Sequence, residues 1–372
     1  MTEDTKLKNL NVDDKLKNVD DELKNLNIND KLRVLTIGDP HFKTNNTAEM
    51  KLLCIKTIEL AKNIKPDFIV VLGDVLDKHE KIHVVPLSQS IEWLENLSNI
   101  APLYVLIGNH DRPNNSDFLS NLHPYNGLKD NDNIYIVDDI MTYKNNNFKF
   151  LFVPYVPPGK FMEAISTKID LDTIPEYTCI FAHQEFFGAK MGAIVSKVGD
   201  KWPLSHPLII SGHIHDYNIP QENIIYTGTP IQHAFGDSTS KTVSLYTFND
   251  NKEKYIEERI DLGLPKKRIF YLSPQEVVAW NPPLNSLIKL VIKGTNAEIK
   301  ATMKLSLIKD WSKMGIKIVY KPTDEYETME NNNSNIYNKD NTTYLHRLHE
   351  KIQNNNNIKF WYDRLFSTSL SS

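Results

Sequence analysis

The chain has 372 residues, of which 40% are hydrophobic and 24% charged, with a net charge of −4. That is the composition of a globular protein, and no run nears the ~20 apolar residues of a membrane span. The charge balance does not mark a nucleic-acid binder, and only a local basic patch would argue for one.

Residues 1–31 are repetitive: Lys6-Leu7-Lys8-Asn9-Leu10 returns as Glu22-Leu23-Lys24-Asn25-Leu26. Too few apolar residues occur for a core, which predicts a disordered or weakly helical extension. From Arg33 to about Leu262 the pattern is strand, polar motif, helix, strand. Val34–Ile37, Phe68–Leu72, Leu103–Ile107, Cys179–Phe181 and Leu208–Ile210 are short apolar, β-branched runs that read as buried strands. Ala48–Ala61 and Leu87–Leu97 carry helical periodicity between the first three, so the region is α/β. Ile224–Tyr226 and Thr242–Phe248 predict further strands and a more antiparallel half after His215.

A new unit opens at Pro265. It carries predicted strands at Ile269–Leu272, Leu287–Ile292 and Ile316–Tyr320. A single helix is expected over Asn296–Lys313, with Ile299, Met303 and Leu307 on one face. Between Lys266 and Pro322, eleven Lys or Arg face only Glu276, Glu298 and Asp310. This is either a solvated surface or a phosphate-backbone contact. Residues 323–342 read as an acidic, Asn-rich linker, and 343–372 as an amphipathic helix followed by an aromatic cluster. Cys54 and Cys179 both sit in apolar strings, which suits reduced thiols in an intracellular compartment, cytoplasm or nucleus.

Five short segments follow the five apolar runs: Asp39-Pro40-His41, Gly73-Asp74, Gly108-Asn109-His110-Asp111, His183 and Gly212-His213-Ile214-His215. Open α/β sheets place their sites past strand ends. Carboxylate, amide and imidazole together suit borderline divalent ions, and the lack of cysteine argues against structural zinc. Two ions need about four ligands each, one of them shared. Asp39 and His41 are spaced to grip one ion together, and Ile214 between His213 and His215 suggests that both imidazoles point the same way. His79, His83, His123, His206 and His233 lie outside these segments and read as surface or packing histidines. The segment Gln184–Trp202 reads as an ordinary loop or as a lip contacting nucleic acid.

These motifs resemble those of the calcineurin-like metallophosphoesterases. The resemblance implies a four-layer α-β-β-α sandwich and two divalent metals, taken here as manganese. Asp39, His41, Asp74 and His215 would hold the first metal, and Asp74, Asn109, His183 and His213 the second. His110 would face the scissile phosphate, with Asp111 orienting it. Gly73-Asp74-Val75-Leu76-Asp77, and Gly228-Thr229-Pro230-Ile231-Gln232 followed by Phe235-Gly236, are similar to segments of the SbcD-type nucleases. On that likeness, 32–262 is the catalytic domain and 263–322 a small basic α+β capping domain. The terminal helix resembles the element that docks on an SbcC-type SMC-like ATPase. DNA, that ATPase and a second copy of the chain are the partners implied, with no membrane. The alternative is a stand-alone phosphoesterase for small phosphodiesters or phosphoproteins.

Overall fold

The computed structural model describes residues 31–145, 147–249 and 255–323. The predicted N-terminal extension, the acidic linker and the terminal helix lie outside them. In chain order the strands are β1 (Lys31–Ile37), β2 (Phe68–Val71), β3 (Leu103–Leu106), β4 (Ile134–Val137), β5 (Met141–Lys144), β6 (Lys149–Val153), β7 (Cys179–His183), β8 (Lys190–Met191), β9 (Ile194–Val195), β10 (Leu208–Gly212), β11 (Asn218–Gln221), β12 (Ile224–Tyr226), β13 (Val243–Asn249), β14 (Tyr255–Ile260), β15 (Lys266–Leu272), β16 (Ser286–Gly294) and β17 (Lys317–Pro322). The helices are α1 (Thr47–Ile64), α2 (Val84–Ser98), α3 (Phe161–Ser166), α4 (Pro274–Val277), α5 (Asn296–Thr302) and α6 (Ser306–Lys313).

The chain divides into two compact units. The first carries two six-stranded sheets, ordered β14-β13-β1-β2-β3-β4 and β11-β12-β10-β7-β6-β5. Strands β1 to β4 are mutually parallel, as are β6, β7, β10 and β12. The antiparallel character predicted after His215 is seen in β11, on the edge of the second sheet, and in β13 and β14, which return to the first, whereas β12 runs parallel to β10.

Strand alternation explains the layering. Successive side chains point to opposite faces. In β1 and β2, Leu32, Val34, Phe68 and Val70 join one core, while Leu35, Ile37, Ile69 and Val71 join another with α1 and α2. Across the second sheet, Phe150, Phe152 and Phe181 face the first core, and Leu151, Val153 and Ile180 pack with Phe161 and Ile165 of α3. Both faces of each sheet are therefore covered, and the order is helix, sheet, sheet, helix. A fully buried Phe contributes about 1.5–3 kcal/mol to this core. Burial pushes the Cys54 thiol up to about 12 and raises Cys179 as well, so both are unreactive apolar fillers.

In the first unit, α1 follows the predicted pattern. Met50, Leu53, Thr57, Leu60, Ala61 and Ile64 line its buried side, and Lys65 ends it in the left-handed conformation. The segment after His183 is a loop that carries the short hairpin of β8 and β9. Asp200 binds it from beneath: its carboxylate accepts from Gly159 N, Phe161 N and the Gln184 amide.

The second unit holds most of the sheet β15-β16-β17, whose first two strands begin in the first unit, and α4 to α6. The single predicted helix is two. A capping box of Thr295 and Glu298 starts α5, and Leu305 takes an extended conformation before α6. The break re-phases the apolar face. Ile299, Thr302, Ile308 and Trp311 are buried, whereas Met303 points to solvent at 49% exposure. Among the described residues no helix is long and apolar enough to cross a membrane.

Candidate metal centre

All five motif segments meet at one end of the two sheets, where the parallel strands β1, β2, β3, β7 and β10 run out. The backbone there is strained. Asp39, His41, Asp74 and His213 all have positive φ, between 36° and 79°, a region few side chains adopt and one that clusters at functional sites. Backbone bonds tie the loops together, from His41 N to Asp74 O (3.1 Å) and from Phe42 N to Val75 O (2.8 Å). Asn46, just before α1, donates to the His41 carbonyl at 2.9 Å. Two glycines make the crowding possible. A Cβ on Gly73 would lie 2.5 Å from His183 Nδ1, and one on Gly108 would collide with the Asp74 backbone nitrogen and carboxylate.

Asp74 sits centrally, and its two oxygens look in different directions. Oδ1 accepts from His110 N at 2.8 Å and lies 3.4 Å from His183 Nε2. Oδ2 lies 3.7 Å from His41 Nε2. His183, His213 and Asn109 form one group: Asn109 Oδ1 is 3.1 Å from His183 Nε2 and 3.0 Å from His213 Nδ1. His41 and His215 form the other, with Nε2 atoms 3.1 Å apart. Asp39 adjoins both: Oδ1 accepts from His213 N at 2.8 Å, and Oδ2 is buried without a partner. His213 and His215 diverge rather than pointing together, because the left-handed turn at His213 breaks the extended path.

The hydrogen bonds around the cluster decide what it can hold. His183 Nδ1 lies 2.7 Å from the Leu72 carbonyl, which can only accept, so Nδ1 carries the proton. A neutral His183 then turns a lone pair on Nε2 toward Asn109 Oδ1 and Asp74 Oδ1. Lone pairs converge with no donor between them, and a buried set of that kind is satisfied by cations. Without an ion, protons fill the role. Burial would lower His183, but the attraction and hydrogen bond of Asp74, then Asp39, outweigh it and raise the imidazole to about 9. Burial pushes the Asp39 carboxyl up to about 8, His183 pulling against it and Asp74 with it. For Asp74 the burial penalty is overcome by His183, His41 and His110, and it stays ionised. Burial, then the charge of His183, holds His213 down to about 3, and His215 is lowered mainly by burial. The donor set fits two divalent ions sharing Asp74.

His110 stands at the mouth, its side chain 34% exposed, with Nε2 4.0 Å from Asp74 Oδ2. Its orienting partner is not Asp111. His110 Nδ1 bonds the Asp77 carbonyl at 2.8 Å, and His79 stacks on its ring at 4.7 Å. Asp111 is buried and accepts from the backbone nitrogens of Leu76 (2.9 Å), Gly108 (3.1 Å) and Val75 (3.2 Å). It fastens the second and third loops to each other. The reason is reach: the turn that exposes His110 points the next side chain inward. His83 is exposed, His123 pairs with Asp138, and His206 packs on Trp202. His233, however, lies among the predicted ligands, its ring 4.7 Å from His41 and 4.9 Å from His215. The signal for it was the run Ile224–Tyr226. That run forms β12, parallel to β10, so its following loop emerges at the same sheet end.

Residues 32–217 match the calcineurin-like phosphoesterase family. The chain is 39% identical over 326 residues to "Putative phosphoesterase 078R" of Invertebrate iridescent virus 3, covering 86% of this chain and 92% of that one. The chain belongs to the calcineurin-like phosphoesterase family. A second member, "Putative phosphoesterase 244L" of Invertebrate iridescent virus 6, is 42% identical, covering 74% of this chain and 98% of its own. Among solved structures, the inner-membrane-complex anchor GAP50 of Plasmodium aligns at TM-score 0.39 and 16% identity, over 63% of this chain and 85% of that one. As in other calcineurin-like phosphoesterases, divalent metal ions are the cofactors expected at the Asp, Asn and His cluster.

Proposed function

We propose that this phosphoesterase hydrolyses phosphodiester bonds of DNA, as the nuclease subunit of an SbcC–SbcD-type complex. Asp39, His41, Asp74 and His215 would hold one ion, and Asp74, Asn109, His183 and His213 the other. When bound, the ions lower the pKa of a water and neutralise charge on the phosphoryl oxygens. The chain supplies the rest. Asp74 presents one oxygen to each histidine group, with Oδ1 anchored by His110 N. Leu72 O fixes the proton of His183 on Nδ1, keeping Nε2 free to coordinate. His110, held through Nδ1 by Asp77 O, turns Nε2 to the open mouth, where its protonated form can donate to the leaving oxygen.

The observation that supports DNA as substrate is the charge of residues 266–321. Of the eleven basic residues in 266–321, Lys266 pairs with Asp261, Lys267 with Glu49 and Lys313 with Asp310. Arg268, Lys289, Lys293, Lys300, Lys304, Lys309, Lys317 and Lys321 have no acidic partner among the described residues. Unneutralised basic residues are what a polyanion needs, and an enzyme for a small phosphodiester has no use for them. The test is manganese-dependent digestion of linear and hairpin DNA by the wild type, His110→Ala and Asp74→Ala. Cleavage of small phosphodiesters with DNA left intact, even with the ATPase added, would replace this reading with that of a small-molecule phosphoesterase.

A further inference from the structure

His233 is built into the metal centre more firmly than a packing residue requires. Its loop is stitched to the one bearing His215. Thr229 N and Oγ1 bond the His215 carbonyl at 3.1 and 3.3 Å, and Lys241 Nζ reaches the same oxygen at 2.6 Å. Asp237 Oδ2 then clamps the backbone nitrogens of His233 (2.7 Å) and Ala234 (2.8 Å). Gln232, the preceding residue, is buried; it donates to the Asp237 and Lys267 carbonyls and accepts from Lys267 N. This bracing fixes the ring edge-on to both His41 and His215. A ring nitrogen from each of the three lies within 4.8 Å of the others.

The protonation pattern adds a second, independent observation. His233 Nε2 lies 3.1 Å from the Asp39 carbonyl oxygen, so the proton sits on Nε2 and the lone pair on Nδ1. Nδ1 is buried with no hydrogen-bond partner in the protein. His206 also buries an unpartnered Nδ1, but against Trp202 and away from any ligand group, whereas His233 holds its lone pair in reserve beside His41 and His215.

We propose that His233 supplies a third imidazole to the first metal, beside His41 and His215. The inference rests on the two-metal reading of the site. A third nitrogen donor shifts that position toward ions that favour imidazole, such as Fe²⁺, Co²⁺ or Zn²⁺, and away from the oxygen-preferring Mg²⁺ and Mn²⁺. It makes the two metal positions chemically unequal.

The test uses the full chain with Co²⁺ as probe, read by calorimetry and by visible absorption, for the wild type, His233→Ala and His233→Gln. Glutamine keeps an N–H donor for the Asp39 carbonyl but offers no imidazole. Both variants are expected to bind one of the two Co²⁺ ions about 10-fold or more weakly and to change its absorption bands, with the other ion unaffected. Wild-type affinity and spectrum in the glutamine variant would overturn the inference and make His233 a positioning residue for Asp39. Unchanged binding in both variants would overturn it as well. Failure of the wild type to take up two Co²⁺ ions would remove the two-metal reading itself.

Discussion

Metal uptake by this centre should release protons, because two ligands carry them when the ion is absent. Asp39 and His183 lie 3.6 Å apart, with the carboxyl raised to about 8 and the imidazole to about 9. Near neutrality both groups therefore keep their protons while no ion is bound. Ions take only the carboxylate and the neutral imidazole. Binding near neutrality therefore displaces about two protons, and each displaced proton makes the apparent affinity rise about tenfold per pH unit. The expected steepness is about a hundredfold per unit below pH 7, flattening above about pH 9. Stability follows the same sign. Both folded-state values exceed the unfolded ones, so what these groups contribute is fully present below the unfolded values. It is lost as pH rises through 8 and 9. The metal-free protein should melt at lower temperature at pH 9 than at pH 7, and Mn²⁺ should abolish the difference. Calorimetric titration with Mn²⁺ in buffers of different ionisation heat counts the protons, and Asp39→Asn should lower the count by about one. A binding enthalpy independent of buffer, with affinity flat from pH 6 to 8, would refute the reasoning.

Other perturbations separate chemistry from positioning. His110→Ala should lower kcat by about 10²–10⁴ while both metals stay bound, measured by turnover and metal analysis on the same sample. With Asp74→Ala the shared oxygens are lost, and metal analysis should show neither ion retained after dialysis. Gly108→Ala forces a Cβ into the Asp74 carboxylate; kcat/KM should fall at least about a hundredfold, because a shift of ~1 Å suffices for that, with the circular dichroism unchanged. Asp111→Asn turns an acceptor of three backbone N–H groups into a partial donor. Urea unfolding should show a loss of about 1–3 kcal/mol, and equal stability would mean that the carboxylate does not hold the loops together.

What the sequence revealed and what it hid have different physical origins. The donor chemistry a metal site needs restricts residue type, so the candidate ligands Asp39, His41, Asp74, Asn109, His183, His213 and His215 stand out by identity and by their place after apolar runs. Burial on both faces restricts the strands in the same way, which is why the alternation of Val34, Leu35, Phe68 and Ile69 was legible. Positioning imposes no such restriction. Leu72 holds His183 through its carbonyl, Asp77 holds His110 through its carbonyl, and His213 holds Asp39 through its N–H. Every residue but proline offers the same two backbone groups, so these contacts leave no mark in the sequence. Asp111 was misassigned because adjacency to His110 suggested a side-chain partner, when its oxygens are spent on three backbone nitrogens. The helix break at Leu305 escaped because Met303 and Leu307 keep helical spacing across it, and only burial shows that Met303 has left the apolar face. His233 was hidden for a further reason. Its place beside His41 and His215 depends on β12 lying beside β10, a fact of sheet order rather than of local pattern. A metal site assembled from several strands can therefore be read from sequence only as far as each ligand announces itself within its own segment.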